Sequence, residues 1–140
     1  GTQLIAYFLT YKVGLLQTEP WLSYMHQYAE EKVYQDFIPV FLKGIGANWL
    51  VCMGMFLGYA AKDVISKCVG IWIPVMLFVT LGYEHSIANM FFIPTAIYVG
   101  ADISWADFIV KNLIPSTFGN FIGGALFVGL PFWYLYLHKK

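Results

Sequence analysis

The sequence predicts an all-α membrane protein, and three observations carry that expectation. Of its 140 residues 59% are hydrophobic and 11% charged, against roughly 45–50% and about 25% in an ordinary soluble domain. Two charge-poor runs, 37–61 and 108–137, are long enough to cross a bilayer core of about 30 Å as helices, which takes about 20 residues. A third apolar run carries an ionisable pair, Glu84-His85, in its middle.

Eight lysines and no arginine balance eight acidic residues, so the formal net charge is zero. No basic field exists to hold a phosphate backbone, which excludes nucleic acid as a partner. Cys52 and Cys68 lie in or beside apolar runs, where a small buried thiol is expected rather than a disulfide framework. The opening Gly1-Thr2-Gln3-Leu4-Ile5-Ala6-Tyr7 has no initiator Met, basic segment or cleavage site and starts inside an apolar run. A chain lacking its N-terminal part is the expectation.

Residues 1–16, apolar apart from Lys12 and a few uncharged polar side chains, predict the end of a span. Residues 17–36 interleave Glu19, His26, Glu30, Glu31, Lys32 and Asp36 with Trp21, Leu22, Tyr24, Met25, Tyr28 and Val33. That mixture predicts an interfacial connector, a short amphipathic helix with its aromatic rings at headgroup level. Residues 37–61 predict a span interrupted by Lys43, which snorkels toward the interface, and by Asn48. Residues 108–137 predict the last span. Gly54 with Gly58, and Gly119 with Gly123, stand one turn apart and permit close backbone approach.

Between Lys67 and Asp102 the only charges or imidazoles are Glu84 and His85. As one straight helix residues 68–101 would be about 51 Å long, too long for an untilted crossing. Cut at Glu84-His85-Ser86, each half is about 22–24 Å, too short to cross alone. Residues 64–101 therefore predict one crossing broken at membrane depth. A single crossing puts Lys62, Lys67, Lys139 and Lys140 on one side and Asp102 and Asp107 on the other. The positive-inside bias then places the C-terminus in the cytoplasm and the 17–36 connector outside.

Ionisable groups at membrane depth mark substrate or ion paths. Non-helical backbone there survives only when buried in protein or lining a cavity. The second half-helix opens with free N–H groups and the positive end of its dipole, so an anion is the natural occupant. His85 and Asn89 share one face of that half-helix. A metal site is not expected: no H-E-x-x-H spacing or second ligand exists, and His26 and His138 lie in solvent-side segments. Ser86 adjoins His85 without a nucleophile-elbow motif, so no catalytic residue is assigned and no cofactor is implied.

Gly82-Tyr83-Glu84-His85-Ser86-Ile87-Ala88-Asn89-Met90-Phe91-Phe92-Ile93-Pro94 resembles the signature of the formate/nitrite transporter family. Ala47-Asn48-Trp49-Leu50-Val51-Cys52, then Asn112-Leu113-Ile114-Pro115 and Gly119-Asn120-Phe121-Ile122-Gly123-Gly124, resemble two more of its blocks in the same order. The resemblance implies an aquaporin-like helical bundle of six spans in two inverted repeats, assembled as a homopentamer with one pore per protomer. This chain would be one inverted-repeat half with a broken fifth helix. It would hold the end of span three (1–16), the extracellular connector (17–36), span four (37–61), broken span five (64–101) and span six (108–137). The N-terminal half of the same protomer would be missing.

By the same resemblance His85 matches a central pore histidine, with Glu84 and Asn89 beside it. Lys32 matches a lysine at the outer mouth, and Asn48 a polar pore neighbour. Phe78 corresponds to an inner constriction and Val51 to an outer one. The implied function is transport of small monovalent weak-acid anions such as formate, nitrite or lactate across the plasma membrane by a multi-pass integral protein, linked to protons. Energetics favour that linkage. A bare anion in a dry constriction costs tens of kcal/mol on idealised estimates, whereas protonating an acid of pKa near 4 at pH 7 costs about 4 kcal/mol. Two alternatives stay open. A neutral-solute channel would share the architecture but need no lysine at the mouth, and a membrane-embedded enzyme would need a second acid–base partner beside Glu84 or His85.

Overall fold

The computed structural model describes residues 1–138; Lys139 and Lys140, which the charge pattern assigns to the cytoplasmic side, lie outside the described residues. Every regular element among the described residues is helical. Helix α1 covers residues 2–11, opening as Thr2–Leu4 and widening to a π-helix over Ile5–Tyr11. It is followed by α2 (Trp21–Val33), α3 (Phe37–Ala60), α4 (Val64–Thr80), α5 (Ser86–Tyr98) and α6 (Trp105–Tyr136). Among the described residues, α3 and α6 are the two helices each long and apolar enough to cross a membrane alone.

The break expected inside residues 64–101 is present, with α4 stopping at Thr80 and α5 starting at Ser86. Gly82 stops α4. It adopts φ +65°, a left-handed conformation that glycine takes without steric cost. The Gly82 N–H donates to the Val79 carbonyl and the Tyr83 N–H to the Phe78 carbonyl, both at 3.0 Å, which makes a Schellman cap. Gly100, at φ +97°, ends α5 in the same way, with the Ala101 N–H on the Ala96 carbonyl at 2.9 Å. At its other end α4 is capped by Asp63, whose carboxylate accepts from the Ser66 N–H at 2.9 Å.

The chain forms two compact units, Gly1–Val40 with Ser86–Pro115, and Phe41–His85 with the described residues from Ser116 on. In the first, Met25, Ala29 and Val33 recur at one-turn spacing along α2 and bury against Ile93, Ala96, Ile103 and Phe108. The 17–36 connector thus contributes a buried face as well as the exposed Trp21 and Tyr24. In the second unit α3 meets α6 through glycines. A Cβ on Gly44 would stand 2.9 Å from the Ser116 carbonyl oxygen, and a Cβ on Gly119 or Gly123 would collide with the carbonyl of Phe41 or Ile45. Gly54 and Gly58 receive α4 at Ile71. Gly54, Gly119 and Gly123 are therefore backbone contact points, while Gly58 makes room for the Ile71 side chain.

One expectation needs correction. Cys68 is exposed rather than buried, because α4 presents apolar side chains outward, Trp72 at 61% and Val69 at 47% exposure. In a helix whose apolar side chains point outward, an apolar setting does not mean an interior one. His26 is half-buried, its Nε2 3.1 Å from the Val99 carbonyl at the end of α5, since the side of α2 that packs on α5 extends past the apolar positions to the imidazole.

Candidate functional site

Past the cap at Gly82 the irregular stretch sets His85 against Phe78. Their rings stack with centroids 5.5 Å apart and planes 25° from parallel. Phe78 is buried and His85 half-buried. Tyr83, on the same irregular stretch, lays its ring on Gly46 of α3, where no Cβ could fit. Stacking and wedge together define where residues 83–85 sit.

Backbone carbonyls in such a stretch have lost their helical partners and need others. Asn120 on α6 supplies one. Its Nδ2 donates to the Glu84 carbonyl and to the Gly44 carbonyl, each at 2.8 Å. Asn48 returns the contact from α3, its Nδ2 donating to the Asn120 carbonyl at 2.7 Å. Glu84 itself has no exposed surface. Val51 is half-buried on α3, one turn past Asn48.

The remaining expected residues meet in the other unit. Asn89 on α5 donates to the Asn112 Oδ1 of α6 at 2.8 Å, and the Asn112 Nδ2 donates to the Lys32 carbonyl at 3.0 Å. Lys32 lies in the last turn of α2, where carbonyls lack helical donors, so Asn112 acts as a side-chain cap. The Lys32 ammonium stands 5.1 Å from the Tyr28 ring centroid, and the residue is only 5% exposed. Burial and the bond at its backbone hold Lys32 in place, unlike a mobile surface lysine.

The structure thus brings Phe78 to His85, Asn48 and Glu84 to Asn120, and Asn89 and Lys32 to Asn112. Asn112 and Asn120 are the hubs that sequence reasoning did not assign. An asparagine in an otherwise apolar helix was their signal. Among the described residues no group of three or more His, Cys, Asp or Glu could hold a metal ion.

The model of the family described as formate/nitrite transporter matches residues 1–134. A probable formate transporter of Methanothermobacter thermautotrophicus is 41% identical over 153 aligned positions, which take in 99% of this chain and 56% of that protein. The formate channel BtFdhC of Bacillus thuringiensis is 38% identical, over 97% of this chain and 51% of its own length. The chain therefore spans about half the length of the curated relatives it matches. A solved pentameric formate channel with formate bound superposes with a TM-score of 0.85 at 30% identity, covering 97% of this chain and 61% of that one. A second solved chain, an FNT family ion channel, gives 0.87 at 29% identity over 96% and 53%. By sequence and by fold the chain belongs to the formate/nitrite transporter family.

Proposed function

We propose that this chain is half of a protomer that conducts small monovalent weak-acid anions across the plasma membrane, formate foremost, with proton linkage. The observation that carries the reading is the imidazole of His85 stacked on Phe78 where the helix is interrupted. A polar ring beside irregular backbone in so apolar a segment is costly unless water or substrate reaches it. Formate is the ligand of the solved pentameric relative and gives its name to both curated relatives; a homopentamer is proposed here on the same likeness.

Lys32 and the N-terminus of α5 draw the anion in. Phe78 and Val51 form apolar constrictions that a charged species crosses only at large cost, so the substrate passes them as the neutral acid. His85, with Asn89 one turn along, hydrogen-bonds the substrate between them and relays the proton. Asn48 and Glu84 shape the wall through Asn120. The C-terminus is assigned to the cytoplasm and the loop at Asp102 to the outside, as the positive-inside bias requires.

The test is uptake of labelled formate by the full-length protein in liposomes under imposed proton gradients. Uptake should rise with an inward gradient, His85→Phe should flatten the pH dependence, and Lys32→Ala should slow entry. Uptake indifferent to the gradient, or a wild-type profile in His85→Phe, would reject proton relay at His85.

A further inference from the structure

Pro94 stands inside α5. Proline has no N–H, so the carbonyl one turn earlier, on Met90, loses its helical donor. In a bilayer core no water replaces it, and a neighbouring group must. The Gln3 side chain on α1 does so, its Nε2 donating to the Met90 carbonyl at 3.0 Å. The Oε1 of the same amide accepts from the Tyr98 hydroxyl at 3.2 Å. One side chain therefore grips α5 on both sides of Pro94. Around it the rings of Tyr7 and Tyr11 pack on Tyr98, with centroids 5.4 and 6.1 Å away. Next to Met90 in the first turns of α5 is Asn89, bonded to Asn112.

We infer that Gln3 is a positioning residue for the pore: its amide stands in for the missing Pro94 N–H and thereby holds the start of α5, and Asn89 with it, in place. The inference rests on the reading of Asn89 as a residue of the anion path. It also makes a specific demand. Restoring an N–H at position 94 should make the Gln3 amide dispensable.

The experiment compares wild type, Gln3→Leu, Pro94→Ala and the double variant in the full-length protein in liposomes. Formate and lactate uptake are measured per folded molecule, with thermal midpoints in detergent. Gln3→Leu should shift the formate-to-lactate rate ratio by about threefold to tenfold, the size of one hydrogen bond. Pro94→Ala should leave the ratio near wild type, and the double variant should recover it to within about twofold. If Gln3→Leu does not fold alone, recovery of folded protein on adding Pro94→Ala supports the proposal. No recovery, or an unchanged ratio in folded Gln3→Leu, overturns it. A wild type without formate flux would reject the transport reading; the midpoints would still decide the Gln3 contact, because it requires the two substitutions to be non-additive and additivity refutes it.

Discussion

The Asn120 side-chain amide donates at 2.8 Å to the main-chain carbonyl of Glu84, tying α6 to the interruption between α4 and α5. The same nitrogen reaches the Gly44 carbonyl, and Asn48 bonds back to the Asn120 carbonyl. One asparagine thus satisfies an irregular carbonyl that has no helical donor, and in doing so fixes residues on three elements.

Asn120→Leu removes both donated bonds and buries two carbonyls without them. The expected loss is about 1–3 kcal/mol of stability, read as a lower thermal midpoint in detergent. Asn120→Asp keeps the shape but no N–H donor, so it should be equally damaging. A midpoint unchanged in both would show that the contact contributes nothing.

Glycine positions should divide by what surrounds them. Gly123→Ala drives a methyl into the Ile45 carbonyl, and backbone on both sides leaves little room to yield. A cost of about 1–3 kcal/mol or more is expected, together with poor recovery of monodisperse protein. Gly129→Ala meets only ordinary contact, 3.5 Å from the Gly124 carbonyl, and should be neutral or gain about 0.5–1 kcal/mol from reduced backbone freedom. Equal behaviour of the two would contradict the packing described for α3 and α6.

Asn89 and Asn112 should be energetically coupled. In a cycle of Asn89→Leu, Asn112→Leu and the double variant, a coupling of about 0.5–3 kcal/mol is expected for side chains in direct contact. Simple additivity would mean that the bond has no energetic weight.

Acid should weaken the start of α4. Hydrogen bonds from Ser66, first of all to its side chain, hold the Asp63 carboxyl below its ordinary value. A folded-state pKa lower than the unfolded one contributes stability above the ordinary carboxylate range, lost as pH falls through the folded value. Asp63→Ala should therefore differ from wild type in thermal midpoint at neutral pH, and that difference should shrink in acid. A gap that stays constant with pH would rule out a charge contribution from the cap.

The interruption at residues 81–85 was legible in the sequence because charge is rare in an apolar run and half-lengths can be set against bilayer thickness. The pairing of Phe78 with His85 was not legible from periodicity. It depends on the left-handed turn at Gly82, which ends the helix and cancels helical spacing. Asn112 and Asn120 stood out as asparagines in an apolar run and as parts of family blocks, but their partners were not legible, since sequence does not say which carbonyl a helix end or a broken segment leaves bare. The exposure of Cys68 was hidden for a related reason: a helix apolar on every side gives no sequence signal of which side points outward. The buried side of α2 was hidden by its charges: Glu31 is exposed, but Lys32 is buried beside Val33.

The most direct measurement asks whether position 85 meets water at membrane depth. Full-length His85→Cys, with Cys52→Ser, Cys68→Ser and every cysteine of the rest of the protein replaced by serine, would be exposed in liposomes to silver ion, a thiol probe small enough for a narrow path. Rapid modification that formate slows is the expected result. A thiol that reacts only after detergent denaturation would place residue 85 in lipid or sealed protein, and permeation past the stacked Phe78–His85 pair would be contradicted.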